Sequence, residues 1–154
     1  MMITKKDILV LSELRKNARE SLMSLARKTN IPVSTIFDKL RDYEGSIIKK
    51  HVTLVNFGEL GFNTRANILL KVPRDKRALL ADFLQKHNNV NSAFKISNGY
   101  DFYVECMFRT LKEMEEFNET IEDKFEVRDS KVYFLIEDIK RETFLEDPYV
   151  LGLV

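Results

Sequence analysis

The stretch Ser21-Leu22-Met23-Ser24-Leu25-Ala26-Arg27-Lys28-Thr29-Asn30-Ile31-Pro32-Val33-Ser34-Thr35-Ile36 decides the reading of the first third of the chain. Ser21 can cap a short helix that carries Leu22, Leu25 and Ala26 inside. Thr29-Asn30-Ile31-Pro32 breaks that helix, and Asn30 tolerates the left-handed backbone a tight turn needs. Pro32 suits the first position of the next helix, where its missing N–H would be unpaired anyway. That helix runs to about Glu44, with Ile36, Leu40 and Tyr43 inside, Phe37 on the flank and Gly45 as the stop. Two short helices joined by a four-residue turn, with small Ala26 at their crossing, predict a helix-turn-helix.

Working outward, Thr4 and Asp7 form a capping-box-like start for an earlier helix, whose face of Ile8, Leu11 and Leu14 extends to about residue 17. After Gly45, Ile47-Ile48, Lys49-Lys50 and Val52–Val55 predict a β-hairpin, a wing beside the helices. Beyond residue 65 the period changes. Residues 66–72 read as a strand closed by Pro73, and Asp75 to about His87 as a helix. Residues 90–97 form a strand, Asn98-Gly99 is a strong hairpin signal, and Tyr100–Phe108 is a strand with Phe102, Val104, Cys106 and Phe108 on one face. Thr110 caps a helix to about Lys124, and Val127–Ile139 is a last long strand. The order βαββαβ is the ferredoxin-like pattern. The fold class is therefore α+β: an N-terminal winged helix-turn-helix at 1–52, a linker strand at 53–64, and an antiparallel ferredoxin-like domain at 65–154. Helices on one face of such a sheet leave the other bare, and a second copy is the simplest cover, so a homodimer is expected.

The chain has 154 residues, 44% hydrophobic and 32% charged, with 5 Gly and 3 Pro, which excludes a disordered or collagenous chain. No apolar run approaches membrane-spanning length, and the start lacks the apolar core of a signal peptide, so a cytoplasmic protein without membrane contact is expected. One cysteine, Cys106, excludes an internal disulfide and a cysteine-based zinc site. His51 and His87 leave little material for metal or acid–base chemistry. No cofactor, metal or catalytic set is expected, and the chain reads as a non-enzyme. Charge divides unevenly: residues 1–50 carry 11 Lys/Arg against 6 Asp/Glu, and the remainder 14 against 18. A basic head on an acidic body points to an anionic partner for the head.

On the predicted second helix of the motif, Val33, Ser34, Thr35, Asp38 and Lys39 are candidates for contacts at or near base edges of double-stranded DNA. Arg27, Lys28, Arg41, Lys49 and Lys50 are candidates for phosphate contacts. Asp38 either accepts from a cytosine amino group or pairs with a neighbouring cation. His87 ends a helix, where it can complement carbonyls, and Cys106 reads as a small buried hydrophobe.

These residues resemble the leucine-responsive regulatory protein/AsnC (feast/famine) family of transcriptional regulators. The resemblance rests on Asp7-Ile8-Leu9, Leu14-Arg15-Lys16-Asn17-Ala18-Arg19, Leu25 to Ile36, Leu40 to Glu44, Ile47-Ile48-Lys49, Val55-Asn56-Phe57 and Leu60-Gly61-Phe62. In the body, Gly99-Tyr100-Asp101 resembles the family's Gly-x-x-Asp region. The sequence departs where Gly45 follows Glu44 at once, one residue short of the usual spacing, and where Asn30 stands in place of a frequent Gly. The resemblance implies a sequence-specific DNA-binding regulator, dimeric or assembled further to octamers, modulated by a small amino-acid-like effector. Asn98, Gly99, Tyr100 and Asp101 are the effector candidates: turn N–H groups for a carboxylate, the Asp101 carboxylate for an ammonium. Two other readings share the scaffold. A sirohaem-decarboxylase-like enzyme would need His or Arg side chains in the body's cavity, where the histidines are only His87 and, at the edge, His51. An effector-sensing protein without DNA binding would not need the basic head.

Overall fold

Thr4 starts the first helix as its sequence predicts. In the computed structural model, which describes residues 2–154, α1 spans Lys5–Lys16, and Thr4 and Asp7 bond reciprocally through side chain and backbone. Ser21 caps α2 (Leu22–Thr29) by accepting from the Ser24 N–H at 3.1 Å. Asn30, at φ 55°, turns the chain left-handed into α3 (Val33–Tyr43). Pro32 stands one position earlier than expected, as the residue before α3 rather than its first; its φ of −56° fits either place. Val10, Leu11, Leu25, Ile31, Ile36 and Tyr43 are buried together, and Leu14, Leu22, Ala26 and Leu40 pack against them. Each such burial is worth about 1.5–3 kcal/mol against an exposed side chain.

Asp7 does more than cap. It is buried, and its Oδ1 accepts from both the Lys39 ammonium and the Tyr43 hydroxyl at 2.5 Å, which ties α1 to α3. Burial raises its carboxyl, but the hydrogen bonds from Lys39, Thr4 and Tyr43 outweigh that and hold it well below the usual carboxylate range.

The expected wing hairpin over Ile47–Val55 is not formed within this chain. Gly45 (φ 75°) turns the backbone, an isolated bridge joins Glu44 to Ile48, and residues 49–56 have no regular secondary structure. Val52, Leu54 and Val55 are exposed, and a two-stranded ribbon with nothing to pack on is marginal in water.

The body is built from β1 (Thr64–Lys71), α4 (Arg77–Lys86), β2 (Val90–Lys95), β3 (Phe102–Phe108), α5 (Leu111–Phe125) and β4 (Asp129–Phe134). The sheet order is β2-β3-β1-β4, antiparallel throughout, with Ile68 opposite Val104 on one side and Val132 on the other. Phe102, Val104, Cys106 and Phe108 join Ala66, Ile68 and Leu70 on the face that α4 and α5 cover through Leu80, Leu84, Phe117 and Ile121. By alternation, Arg65, Asn67, Leu69, Tyr103, Glu105, Lys131 and Tyr133 stand on the opposite face.

The last strand is shorter than the expected Val127–Ile139. Because Ala66 pairs with Phe134 and β1 begins at Thr64, the partner runs out just beyond, where the Leu135 N–H reaches the Arg65 carbonyl. By packing, the chain falls into two compact units. One compact unit runs through Leu54 and takes up Ile139–Val154 again; the other is Val55–Asp138.

The depressed carboxyl of Asp7 stabilises the head fully above its unfolded value, near 4, and that stability drains away as pH falls from about 5. Asp7→Ala strands the Lys39 ammonium and the Tyr43 hydroxyl and should cost the head about 3 kcal/mol. Hydrogen exchange of the α1 and α3 amides, followed from pH 7 to pH 4, should show weaker protection in the variant and a flatter pH dependence.

Candidate nucleic-acid interface and ligand loop

Ile36 and Tyr43 fasten α3 to the head core, which fixes what the helix turns outward. Val33, Ser34, Phe37, Asp38 and Arg41 are exposed and Thr35 is half-buried. Phe37, 56% exposed, is a residue the sequence reading left on the flank. Its signal was the i, i+4 spacing from Val33 at the start of the helix, which gives α3 an apolar ridge between its polar residues. Asp38 finds its cation on its own helix, Arg41, at 3.6 Å, with both groups well exposed. An exposed pair of this kind contributes little and can open to another partner. No side chain caps the start of α3.

Two of the expected cations are engaged inside the head. Lys39 does not face outward as a base reader would: its ammonium is turned to Asp7, because that buried carboxylate needs a charged donor. Lys28, expected at phosphate, lies 3.0 Å from Glu20 and 3.4 Å from Glu13. Those carboxylates raise the Lys28 ammonium, and Glu20 and Glu13 are lowered in turn, Glu20 first by its bond with Ser24 and Glu13 first by Lys16. Arg27, Lys49 and Lys50 are exposed, the last two in the irregular segment that follows Ile48, with His51 beside them.

In the body, the loop between β2 and β3 closes through the Ile96 N–H on the Asp101 carbonyl at 3.0 Å. Asn98 (φ 72°) and Gly99 (φ 104°) both take positive φ, the conformation that an Asn-Gly pair adopts most easily. A Cβ at Gly99 would meet nothing within 4 Å, so backbone conformation rather than crowding favours glycine there. Asp101 is not an open carboxylate awaiting an ammonium. Its Oδ2 accepts from the Val72 N–H at 2.9 Å and its Oδ1 pairs with Arg77 at 2.7 Å. The reason lies in β1, whose end leaves the Val72 N–H to be satisfied from outside the ladder. Arg77, at the start of α4, is the partner sequence reasoning missed. The Tyr100 hydroxyl donates to Asp129 at 2.7 Å, and the bond to that carboxylate raises it, while the Lys131 ammonium lies 5.5 Å from its ring centre. Asn98 and Gly99 remain at the exposed tip. A cavity of about 350 Å³ lies between α4 and β2, lined by Ala81, Leu84, Val90, Phe94 and Phe102 among others, and residues 98–101 do not line it.

His87 and Cys106 are both held in apolar surroundings. His87 does not complement helix carbonyls: its Nδ1 accepts from the Asn89 N–H at 3.2 Å, and its ring lies against Phe83 and Phe117. Burial, then Lys124, lowers it. Burial, then Glu105, pushes the Cys106 thiol up to about 12. No group of three or more His, Cys, Asp or Glu among the described residues could hold a metal ion, and no described helix is long and apolar enough to cross a membrane.

Residues 65–145 match the model of the Lrp/AsnC ligand binding domain. An uncharacterized HTH-type transcriptional regulator of Pyrococcus furiosus is 24% identical over 147 residues, which are 95% of this chain and 99% of that protein. The HTH-type transcriptional regulator FL11 of Pyrococcus abyssi is 27% identical over 116 residues, 75% of this chain and 77% of the relative. Among solved structures, a transcriptional regulator of Neisseria meningitidis in complex with L-Met superposes with a TM-score of 0.82 at 21% identity, covering 91% of this chain and 94% of that one.

Asp101→Ala removes the acceptor of the Val72 N–H and the partner of Arg77, and should lower the stability of the body by about 2 kcal/mol. Arg77→Ala should cost clearly less, because its side chain is half exposed and the backbone bond survives. Urea titration followed by body-specific amide exchange should rank the two in that order.

Proposed function

Because the chain belongs to the Lrp/AsnC family, we propose that it is a sequence-specific, DNA-binding transcriptional regulator modulated by a small molecule. The observation that carries the DNA-binding half is α3. It is pinned along one side by Ile36, Tyr43 and the Lys39–Asp7 pair and presents Ser34, Thr35, Phe37, Asp38 and Arg41 on the other. Short hydrogen-bonding groups near the helix start, then an arginine nearly two turns beyond, suit base edges followed by phosphate in a major groove. Val33 and Phe37 suit the apolar contact that a thymine methyl offers. Arg27, Lys49 and Lys50 supply phosphate contacts. Lys28 does so only by exchanging its carboxylate partners for phosphate. Lys39 acts by holding α3 in place, not by reading DNA.

Self-association uses the sheet face opposite the helices. Leu69, Tyr103 and Tyr133 give that face apolar area, and Phe94 lies 6.1 Å from Tyr103, centre to centre. The Asn67 Oδ1 on the same face is buried and has no hydrogen-bond partner. Dimers are the basic unit of this reading, and larger assemblies such as octamers are built from them.

The effector is a small amino acid-like molecule, and its site is at the tip of the β2–β3 loop. Asn98 and Gly99 offer the backbone N–H groups for its carboxylate. Tyr100 lies beside them, and Asp101 sets the loop from behind while it holds Val72 and Arg77.

Thr35→Ala should relax sequence preference at one position by about 1–3 kcal/mol, whereas Arg41→Ala should weaken binding to all duplexes and flatten the salt slope by about one. Fluorescence polarisation with selected and scrambled duplexes measures both; unchanged binding by the Ser34/Thr35/Arg41 triple alanine variant would sink the assignment. For assembly, Leu69→Lys places two like charges face to face across the dimer and should sediment as a monomer at micromolar concentration. A Leu69→Lys dimer would move the interface elsewhere.

A further inference from the structure

The head's compact unit has a second, shorter part, Ile139–Val154. Ile139–Val154 carries no helix or strand, yet it is fastened at several points. The Arg15 guanidinium, near the end of α1, donates through Nε to the Phe144 carbonyl at 3.1 Å and through Nη2 to the Glu142 carbonyl at 2.6 Å. The same Nη2 lies 3.1 Å from the Glu142 carboxylate. Leu145 packs against the head's apolar core and Pro148 is buried. Glu142 (φ 55°) and Leu145 (φ 74°) are left-handed although neither is glycine or asparagine. Such backbone persists only where surrounding contacts impose it. Between this segment and the helices lies a cavity of about 430 Å³, lined by Ser12, Glu13, Lys16, Lys28, Glu146 and Pro148 among others. The segment is thus pinned at points rather than sealed along its length.

We propose that residues 139–154 are a strap latched to the head by Arg15, and that the strapped head is its DNA-binding state. Arg15 is then a positioning residue. One planar guanidinium spans two carbonyls of the strap with its donors set in one rigid fork, which a flexible and strongly hydrated ammonium holds less well. The docked strap supports α1 and α2, against which α3 is held. DNA binding and strap docking are linked, and linkage is reciprocal: whatever the strap adds to DNA affinity, DNA returns as strap protection. The DNA half of this proposal rests on the function proposed above; the latch itself does not.

The test uses the full chain and hydrogen exchange of the amides in 142–149, with and without a duplex chosen by binding-site selection. In the unaltered protein, saturating duplex should slow exchange in the strap at least threefold. Arg15→Ala should speed strap exchange at least tenfold and weaken duplex binding about fivefold, with the salt slope unchanged. Arg15→Lys should resemble Arg15→Ala, because the ammonium lacks the rigid fork that spans the two carbonyls. Glu142→Asn, which keeps the backbone acceptor and tolerates left-handed backbone, should remain strapped. A salt slope reduced by one in Arg15→Ala, or rescue by lysine, would make Arg15 a phosphate contact and overturn the latch. So would strap exchange indifferent to Arg15→Ala. Tighter duplex binding by Arg15→Ala, or strap exchange indifferent to DNA, overturns the claim that the strapped head binds DNA. If Arg15→Ala does not fold, the effect of DNA on strap exchange in the unaltered chain and the behaviour of Arg15→Lys decide. If the unaltered chain binds no duplex, the function proposed above fails, and the exchange response to Arg15→Ala alone still settles the latch.

Discussion

A buried carboxylate holds the head together. Asp7 receives the hydroxyl and N–H of Thr4, the ammonium of Lys39 and the hydroxyl of Tyr43, so one side chain caps the first helix and clamps the third. A carboxylate removed from water is costly unless its acceptor sites are filled, and here two of the donors come from a single helix, 32 and 36 residues away. Apolar packing alone leaves helices free to slide and turn about their axes, whereas a directional set of hydrogen bonds specifies one register. The outward face of α3 is therefore fixed by chemistry at its inward face.

The body solves the matching problem differently. Every alternate residue of β1 and β3 enters a core shared with α4 and α5, so the residues between must appear on the other side. That opposite face carries a charged centre, with Arg65 held by Glu105 at 2.9 Å and Asp138 at 2.6 Å, beside tyrosines and an unsatisfied amide oxygen. A surface of this mixed character suits a partner met in one orientation better than indiscriminate apolar contact does.

Much of this was legible in the sequence, for definable reasons. Caps, the left-handed Asn30 and the βαββαβ order follow from local rules, and the helices and three of the four strands lie within a few residues of where those rules put them. The wing does not form because Val52 and Leu54 alternate as a strand does but find no partner strand among the described residues. The last strand was overextended because its length is set by where β1 begins, a non-local fact. Lys39 and Asp101 looked available because charge spacing on a helix or in a turn does not reveal a buried partner across the fold. For Lys39 that partner is Asp7, and for Asp101 it is Val72 together with Arg77. The return of residues 139–154 to the head has no local signature at all.

That return has a consequence for synthesis. The head is encoded ahead of the body, but its compact unit draws on sequence from both sides of it: residues up to Leu54 and then Ile139–Val154. On the ribosome, the three helices emerge long before Glu142 and Phe144, whose carbonyls Arg15 takes. During that interval a nascent head must wait with Leu145's place in its core unfilled while the entire sheet is made and folded. Of the two units, the one that leaves the ribosome earlier is thus completed later. A chain lacking residues 139–154 would present a finished body attached to an unfinished head.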